Sequence, residues 1–194
     1  LSTILEKGLN IENIIVGSVV PEVTQEIKRA CISCFNKNVY IINEDIEVSF
    51  PIDIENSKEV GTDRLVNSLA AWNSYRKSCI VIDFGTATTF DVVNKDGKYI
   101  GGIICPGINL SLQTLHSAAA RLPRIAVTKP KQIIGKSTVK AMSSGIYYGY
   151  IGLIKYIIEM INSELGYTSK IILTGGLADL FSKKIGKNNI VEKN

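Results

Sequence analysis

Residues 83–89, with the sequence Asp-Phe-Gly-Thr-Ala-Thr-Thr, are the most informative segment of the chain. A strand that delivers Asp83 into a turn would let a phosphate group approach Gly85, which has no side chain to keep it away. Backbone N–H groups of the turn and the Thr86 hydroxyl can bind phosphate oxygens, and Asp83 can hold a cation beside them. Taken alone, the motif fits equally well an ordinary hairpin turn whose threonines favour strand structure.

A second carboxylate, Asp63, lies in the sequence Gly61-Thr62-Asp63-Arg64 at the predicted start of a helix. A carboxylate is stabilised at a helix N-terminus, so the spacing alone favours Asp63 as a helix cap. The same residues also supply what phosphorylation of an alcohol requires. Asp63 can accept the proton of an attacking hydroxyl, and Arg64 can pair in a forked geometry with a substrate carboxylate.

Two further glycine pairs stand at predicted strands. Gly101 and Gly102 would allow a ligand or another backbone to approach closely. Gly175 and Gly176 end a short apolar run, and such a turn lets an adenosine lie against the backbone.

The segment Gly135-Lys136-Ser137-Thr138 is superficially similar to a Walker A loop. Pro130 stands where that motif needs its first glycine, so we exclude a P-loop. Ser137 is instead expected to cap the long helix that follows, which leaves the Thr138 hydroxyl available for a ligand.

The periodicity of apolar residues predicts the elements that position these motifs. Asp96-Gly97 is the strongest hairpin signal, and a long polar connection is expected at 43–58. Strands are predicted at 14–20, 39–42, 79–84, 88–93, 99–105 and 170–173, and helices at 22–35, 62–75, 108–120, 137–165 and up to about 185.

From Cys79 onward the predicted order is three strands, two helices, a strand and a helix. This order resembles one half of the actin-like ATPase fold, an α/β fold in which a ribonuclease H-like unit occurs twice around a nucleotide cleft. We expect residues 77–194 to form the second half, with the Asp-Phe-Gly-Thr phosphate loop. Residues 1–76 are expected to form a first half that lacks its N-terminal β-meander.

The composition narrows the class of protein. Hydrophobic residues make up 45% of the 194 residues and charged residues 21%, enough to form a core. The net charge of +4 is spread along the chain, and lysines 183, 184 and 187 are better explained as a solvated helix face than as a nucleic-acid site. Polar residues interrupt the apolar stretch 146–161 and the N-terminus. We therefore expect neither a membrane span nor a signal peptide, and we expect a cytoplasmic location.

The four cysteines, including Cys31 and Cys34 in a C-x-x-C, are expected to be buried thiols and not metal ligands.

Several segments together are similar, in order and spacing, to type III pantothenate kinases. The similarity covers nearly the whole chain and is far more specific than any one motif. The segments are Gly61-Thr62-Asp63-Arg64, 83–89, 101–107, 116–123 and 135–145, with Ser18-Val19-Val20-Pro21 similar to the end of the family's first strand.

The resemblance implies a role for each matching residue. Asp63 would be the proton acceptor, and Asp83 would bind the monovalent cation, potassium or ammonium, that the family requires. Magnesium would accompany ATP. Pantothenate would contact Gly61, Thr62, Asp63, Arg64 and Thr138, and ATP would contact Gly85, Thr86, Gly175 and Gly176.

The activity so implied is ATP-dependent phosphorylation of pantothenate to 4'-phosphopantothenate, the first step of coenzyme A biosynthesis. The family forms homodimers whose cleft is completed across the interface, and the helix around 146–161 is either a dimer face or plain core. The family's opening Asp-x-Gly-Asn-Thr loop is not found, and the last helix looks short, so we expect an incomplete chain that alone binds ATP poorly. Two alternatives are a non-catalytic regulatory relative and another actin-like small-molecule kinase, such as a sugar kinase.

Overall fold

The computed structural model describes residues 11–18, 21–42, 44–119, 122–186 and 189–192. It contains seven strands and five α-helices within those residues, with a short 3₁₀ turn at Ser57–Glu59. The strands are β1 Ile14–Val16, β2 Val39–Ile41, β3 Cys79–Phe84, β4 Ala87–Val93, β5 Tyr99–Pro106, β6 Lys170–Gly175 and β7 Ile190–Val191. The helices are α1 Pro21–Phe35, α2 Thr62–Tyr75, α3 Ile108–Ala118, α4 Thr138–Leu165 and α5 Ala178–Ile185.

A mixed five-stranded sheet in the order β5-β4-β3-β6-β7 forms the centre of the fold. β3, β4 and β5 pair antiparallel, which confirms the predicted meander, whereas β6 pairs parallel with both β3 and β7. β1 and β2 form a separate parallel pair. The chain therefore has an α/β fold built on a mixed sheet.

Side chains of β3 alternate between two cores. Ile80, Ile82 and Phe84 pack with α3, α4 and α5 on one face, where the Phe84 ring stacks on Phe181 at 5.5 Å. Cys79 and Val81 pack with α2 on the other face. Successive strand residues point to opposite faces, so the next residue of the second set, Asp83, lies on the α2 side of the sheet.

Helix α2 begins after Gly61, and its buried residues include Leu65 and Ala71. The β4–β5 hairpin packs against this helix at Gly97. That residue has φ +77°, and a Cβ there would lie 2.4 Å from the Trp72 ring. Only glycine satisfies both the left-handed backbone and the close approach of the ring.

The 28-residue helix α4 begins where Ser137 accepts a hydrogen bond from Lys140 N at 3.3 Å, which confirms the predicted cap. Its Tyr147, Tyr150 and Ile154 are buried in the core, so one face of this helix is core. Tyr156 and Met160 are exposed. Among the described residues, no helix is long and apolar enough to cross a membrane.

The structure corrects several predicted boundaries. The first strand ends at Val16 and the sixth continues to Gly175, while β7 was not predicted at all. Helix α3 ends at Ala118. The connection at 43–58 is partly ordered, since Ile52 forms a β-bridge with Tyr99.

Some predictions fall on residues outside the described ranges: 1–10, Val19, Val20, positions 120 and 121 of the segment 116–123, and Lys187.

The prediction for the cysteines is only partly right. Cys31 and Cys79 are buried, and Cys105 is half-buried. Cys34, three residues later in the same helix, is exposed. The described residues contain no group of three or more histidine, cysteine or acidic side chains that could hold a metal ion.

Candidate active site

Asp83 stands at the edge of the sheet where β3 ends. Its register partners are Thr89 on β4 and Thr174 on β6. Because β3 and β6 run parallel, their carboxyl ends meet at the same edge, which is where ligands bind in open α/β sheets. Asp83, the turn after it and Gly175 are therefore brought together, as the sequence predicts.

Gly175 closes one side of the Asp83 carboxylate. It has φ +86°, and a Cβ there would lie 2.5 Å from Asp83 Oδ1 and 2.8 Å from Phe84 N. No other residue fits this position without moving the carboxylate. The neighbouring Gly176 is exposed and has open space around it.

The turn between β3 and β4 presents Gly85 and Thr86 to solvent. A Cβ on Gly85 would make only ordinary van der Waals contacts, with Ala87 O at 3.6 Å and Asp83 Oδ1 at 3.8 Å, so the turn is not crowded at this glycine. Gly107 packs beneath the turn, where a Cβ would lie 2.0 Å from Thr86 O. The turn therefore packs against Gly107 on one side and is exposed to solvent on the other.

Asp63 is the second residue of α2 and is exposed. The N-cap of the helix is Gly61 and Asp63 lies inside the first turn, so the prediction of Asp63 as the cap is wrong. Its Oδ1 accepts a hydrogen bond from Arg64 N at 2.9 Å, and the same N–H donates to Gly61 O at 3.1 Å. The rest of the carboxylate remains accessible.

Asp63 and Asp83 lie close enough to interact electrostatically. Burial raises the pKa of Asp83, the nearby Asp63 charge raises it further, and a hydrogen bond from Asn67 Nδ2 at 3.1 Å opposes the shift. Like charges disfavour joint ionisation, and a cation beside Asp83 would offset that repulsion. Asn67 follows Asp63 by one helical turn, a spacing that could have identified it from the sequence.

Arg64 is held by a buried carboxylate that the sequence analysis missed. Arg64 Nε donates to Asp91 Oδ1 at 2.7 Å, and Tyr99 Oη donates to the same oxygen at 2.9 Å. Thr89 Oγ1 donates to Asp91 Oδ2 at 3.2 Å. Burial raises the pKa of Asp91, and the Arg64 charge opposes that shift. A charged residue inside the apolar strand Thr-Phe-Asp-Val-Val is a signal that a partner must exist.

Comparison with known proteins identifies the family. Residues 1–160 match the family model described as type III pantothenate kinase. The chain belongs to the type III pantothenate kinase family. It is 49% identical over 173 residues to the type III pantothenate kinase of Acidiphilium cryptum, covering 89% of this chain and 65% of that protein. It is 48% identical over 175 residues to that of Rhodospirillum rubrum, covering 90% of this chain and 68% of that protein.

The chain thus spans about two thirds of the length of these curated relatives, 65% of one and 68% of the other. A solved structure from Campylobacter jejuni, assigned to a Baf family of transcriptional activators, superposes with a TM-score of 0.60. That similarity covers 98% of this chain and 80% of the other at 22% sequence identity, so it concerns the fold alone.

Thr138 is not brought to the other predicted site residues. It is exposed at the start of α4, which packs on the sheet face opposite α2. Among the described residues, no hydrogen bond or ion pair joins Thr138 to Asp63, Arg64 or Asp83. The described chain therefore brings Asp83, Gly85, Thr86 and Gly175 to one sheet edge, with residues 61–64 at the start of the neighbouring helix α2 and Thr138 at the start of α4.

A cavity of about 160 Å³ lies between α2 and β6, next to Asp83. Asn67 and Thr174 form its end nearest that carboxylate, and Tyr75 and Glu192 lie among its other lining residues. This volume is below the roughly 300 Å³ at which ligand pockets begin, so the cavity cannot enclose a nucleoside. A nucleotide at this edge would lie mainly outside it.

Proposed function

We propose that the protein transfers the γ-phosphoryl group of ATP to the primary hydroxyl of pantothenate. The product is 4'-phosphopantothenate, and the reaction opens coenzyme A biosynthesis. One observation carries the proposal: Asn67, one helical turn after Asp63 on α2, donates a hydrogen bond to Asp83 at the carboxyl end of β3, beside the accessible Gly85–Thr86 turn. Membership of the type III pantothenate kinase family supplies the reaction that this arrangement serves.

Asp63 is the proposed proton acceptor. Its carboxylate is exposed at the start of α2, where a substrate hydroxyl can reach it. Phosphoryl transfer passes through a loose transition state, so most of the catalysis comes from positioning and charge stabilisation. Asp63 then acts late, when the hydroxyl proton becomes acidic. Gly61, Thr62 and Arg64 flank it and are proposed to bind pantothenate.

ATP is proposed to lie along the edge formed by the β3–β4 turn and the end of β6. Gly85 and the Thr86 hydroxyl are accessible to phosphate oxygens. Gly175 and Gly176 would lie near the adenosine. The left-handed backbone at Gly175 and the open space at Gly176 support this placement.

The residues around Asp83 fit a monovalent cation. A half-buried carboxylate beside a second carboxylate lacks a positive partner, since its hydrogen bond comes from the neutral Asn67 amide. Among the described residues no cluster of three or more metal-ligating side chains exists, so a divalent ion held by protein groups alone does not fit. Magnesium would instead arrive with the ATP phosphates. These ions would supply positive charge that offsets the phosphate charge during transfer.

The fold supports a finer proposal. An antiparallel meander followed by a parallel strand is the arrangement expected for a ribonuclease H-like unit. We propose an actin-like ATPase fold in which residues 77–194 belong to the second half and residues 1–76 to the first. The parallel pair β1–β2 belongs to that first half.

The protein is also proposed to act as a cytoplasmic homodimer. Thr138 lies on the sheet face opposite α2, so a second copy is the simplest way for it to reach pantothenate bound near Asp63. Apolar side chains near Thr138 are exposed and would be covered in a dimer. They include Ile133, Ile134 and Val139, of which Ile134 is 77% exposed.

A coupled assay of ADP release tests the proposal on the full-length protein. We expect release that depends on pantothenate and is stronger with potassium than with sodium. ADP release without pantothenate, or with a sugar as the better acceptor, would contradict the proposal. A folded dimer that releases no ADP would instead indicate a non-catalytic relative.

A further inference from the structure

The buried Asp91 carboxylate has no role in the reaction proposed above, yet it contacts a residue that does. Asp91 is fully buried in the middle of β4 and ion-pairs with Arg64. It also accepts hydrogen bonds from Tyr99 and Thr89. A buried charge is costly unless it is paired and hydrogen-bonded, and replacing such a pair by apolar residues is often neutral or stabilising. Stability alone therefore gives no reason for a charged pair at this position.

The geometry of Arg64 supplies another reason. Asp91 engages only Nε, and the Nη2 atom is buried without a hydrogen-bond partner in the described part of the chain. Gly102 leaves room for that atom, since a Cβ there would lie 2.6 Å from Arg64 Nη2. Asp91 and Gly102 together fix the plane of the guanidinium group. They leave the Nη2 N–H groups without a hydrogen bond among the described residues.

We propose that Asp91 and Tyr99 are positioning residues that hold the Arg64 fork ready for the carboxylate of the substrate. The inference rests on the proposed function and adds to it the residues that prepare Arg64. A free arginine side chain loses rotamer freedom when it binds, and a preorganised one does not. Because Asp91 occupies Nε and Nη2 is buried beside Gly102, the substrate carboxylate meets the Nη1 end of the guanidinium group.

The decisive variant is Tyr99→Phe, which removes one hydroxyl and keeps the buried ring. Its KM for pantothenate should rise by about tenfold, the typical loss for a hydrogen bond to a charged group, with kcat little changed. Its KM for the primary amide of pantothenate, which has no carboxylate, should stay near the wild-type value. Asp91→Asn should show the same selectivity with a larger increase.

Tyr147→Phe is the matched control, because Tyr147 is also fully buried but packs on the opposite sheet face. It should leave both KM values unchanged. If Tyr99→Phe raises KM equally for pantothenate and the amide, or for neither, the positioning role is wrong.

A second measurement does not depend on turnover. The ¹⁵Nε–¹H signal of Arg64, assigned by its loss in Arg64→Lys, should be protected from solvent exchange in the wild type and exposed in Asp91→Asn. An Arg64 signal that exchanges rapidly in the wild type would overturn the inference. If the wild type fails to phosphorylate pantothenate, the proposed function and the carboxylate target are both wrong, while this signal still decides whether Asp91 holds Arg64.

Discussion

Asp63 and Asp83 carry the same chemical group in different environments. Asp63 is exposed at the start of a helix, whereas Asp83 is half-buried at the end of a strand and bonded to Asn67. The exposed carboxylate can exchange a proton with a bound alcohol. The half-buried one lacks a positive charge and is suited to holding a cation.

The first prediction concerns Asp63→Asn, which keeps the shape of the side chain and removes its basicity. We expect kcat to fall by roughly 10² to 10⁴, the usual contribution of an acid–base group. Steady-state kinetics of the full-length protein measure it. The matched control is Asp53→Asn, because Asp53 is an exposed aspartate whose side chain is 67% accessible. Near-normal turnover of Asp63→Asn would remove Asp63 from catalysis.

The second prediction concerns the stability cost of Asp83. In buffer without potassium or ammonium, Asp83→Asn should raise the free energy of unfolding by about 0.5–2 kcal/mol while abolishing activity, as is typical of functional residues. Burial is the main cause that raises the folded-state pKa of Asp83 above its ordinary value of 3.8. Below pH 3.8 the Asp83 carboxyl is protonated in both the folded and the unfolded state, and its contribution to the free energy of unfolding is at its maximum. As the pH rises through the raised folded-state pKa, that contribution is lost.

Urea denaturation across a pH series tests this prediction. The difference between Asp83→Asn and the wild type should be small at pH values below the ordinary carboxyl range and should grow as the pH rises. Potassium should reduce the difference by stabilising the wild type alone. A difference that is independent of pH would show that the Asp83 charge does not destabilise the fold.

At the scale of single residues, the sequence predicts the candidate site residues that stand in short motifs. It misses the residues that contact them. Asp63, Asp83 and Gly85 stand in recognisable short motifs. Asn67 and Asp91 do not, because their contacts join different elements: Asn67 reaches Asp83 from α2, and Asp91 reaches Arg64 from β4. Spacing places Asn67 on the same face of α2 as Asp63, and a charge inside an apolar strand marks Asp91, but which residues they contact depends on how the elements pack.

The elements themselves were largely predictable. The boundaries of α2 and β3 agree with the predicted ranges, since an apolar period and flanking turns mark both. The two-residue strand β7 was missed because so short a run carries no period. The parallel pairing of Cys79 with Lys170 was also not predicted, because parallel pairing joins distant parts of the chain.

The third prediction concerns the contact between the β4–β5 hairpin and α2. Gly97→Ala should lower the free energy of unfolding by about 1–3 kcal/mol, the usual cost of overpacking, because its Cβ would overlap the Trp72 ring. Thermal or urea unfolding measures the loss. The control is Gly186→Ala, where the backbone is extended and a Cβ meets nothing within 4 Å. Equal stability of the two variants would contradict the assigned contact.

At the scale of the whole molecule, Thr138 lies apart from the other residues proposed to bind pantothenate. α2 carries Asp63 and Arg64 on one side of the sheet, while α4 carries Thr138 on the other. Exposed apolar residues on β5 and α3, Ile104 and Leu110, add to those around Thr138. The family resemblance predicts the dimer that would cover such residues. Both the dimer and the division of the fold into two halves stay predictions.

The fourth prediction is complementation between two inactive variants. If Thr138 acts across a twofold dimer, Asp63→Asn and Thr138→Val should each be impaired as homodimers. A randomly mixed population should recover activity, because each heterodimer has one site with Asp63 and Thr138 both intact. Random mixing gives about a quarter of the sites intact.

Co-expression with two affinity tags isolates the heterodimer for the assay. A mixture of separately purified homodimers that cannot exchange subunits is the control and should stay impaired. If the heterodimer is no more active than the two parents, Thr138 does not act across the interface.

Gly175 has a consequence for inhibitor resistance. Any side chain at this position would displace the Asp83 carboxylate, since its Cβ would lie 2.5 Å from Oδ1. A compound that contacts the backbone of Gly175 would therefore bind a surface that a single substitution cannot change without displacing Asp83, the proposed cation ligand. Escape mutations would be confined to neighbours such as Gly176, where a side chain has open space. Compounds that avoid Gly176 and use Gly175 would leave the cell fewer routes to resistance.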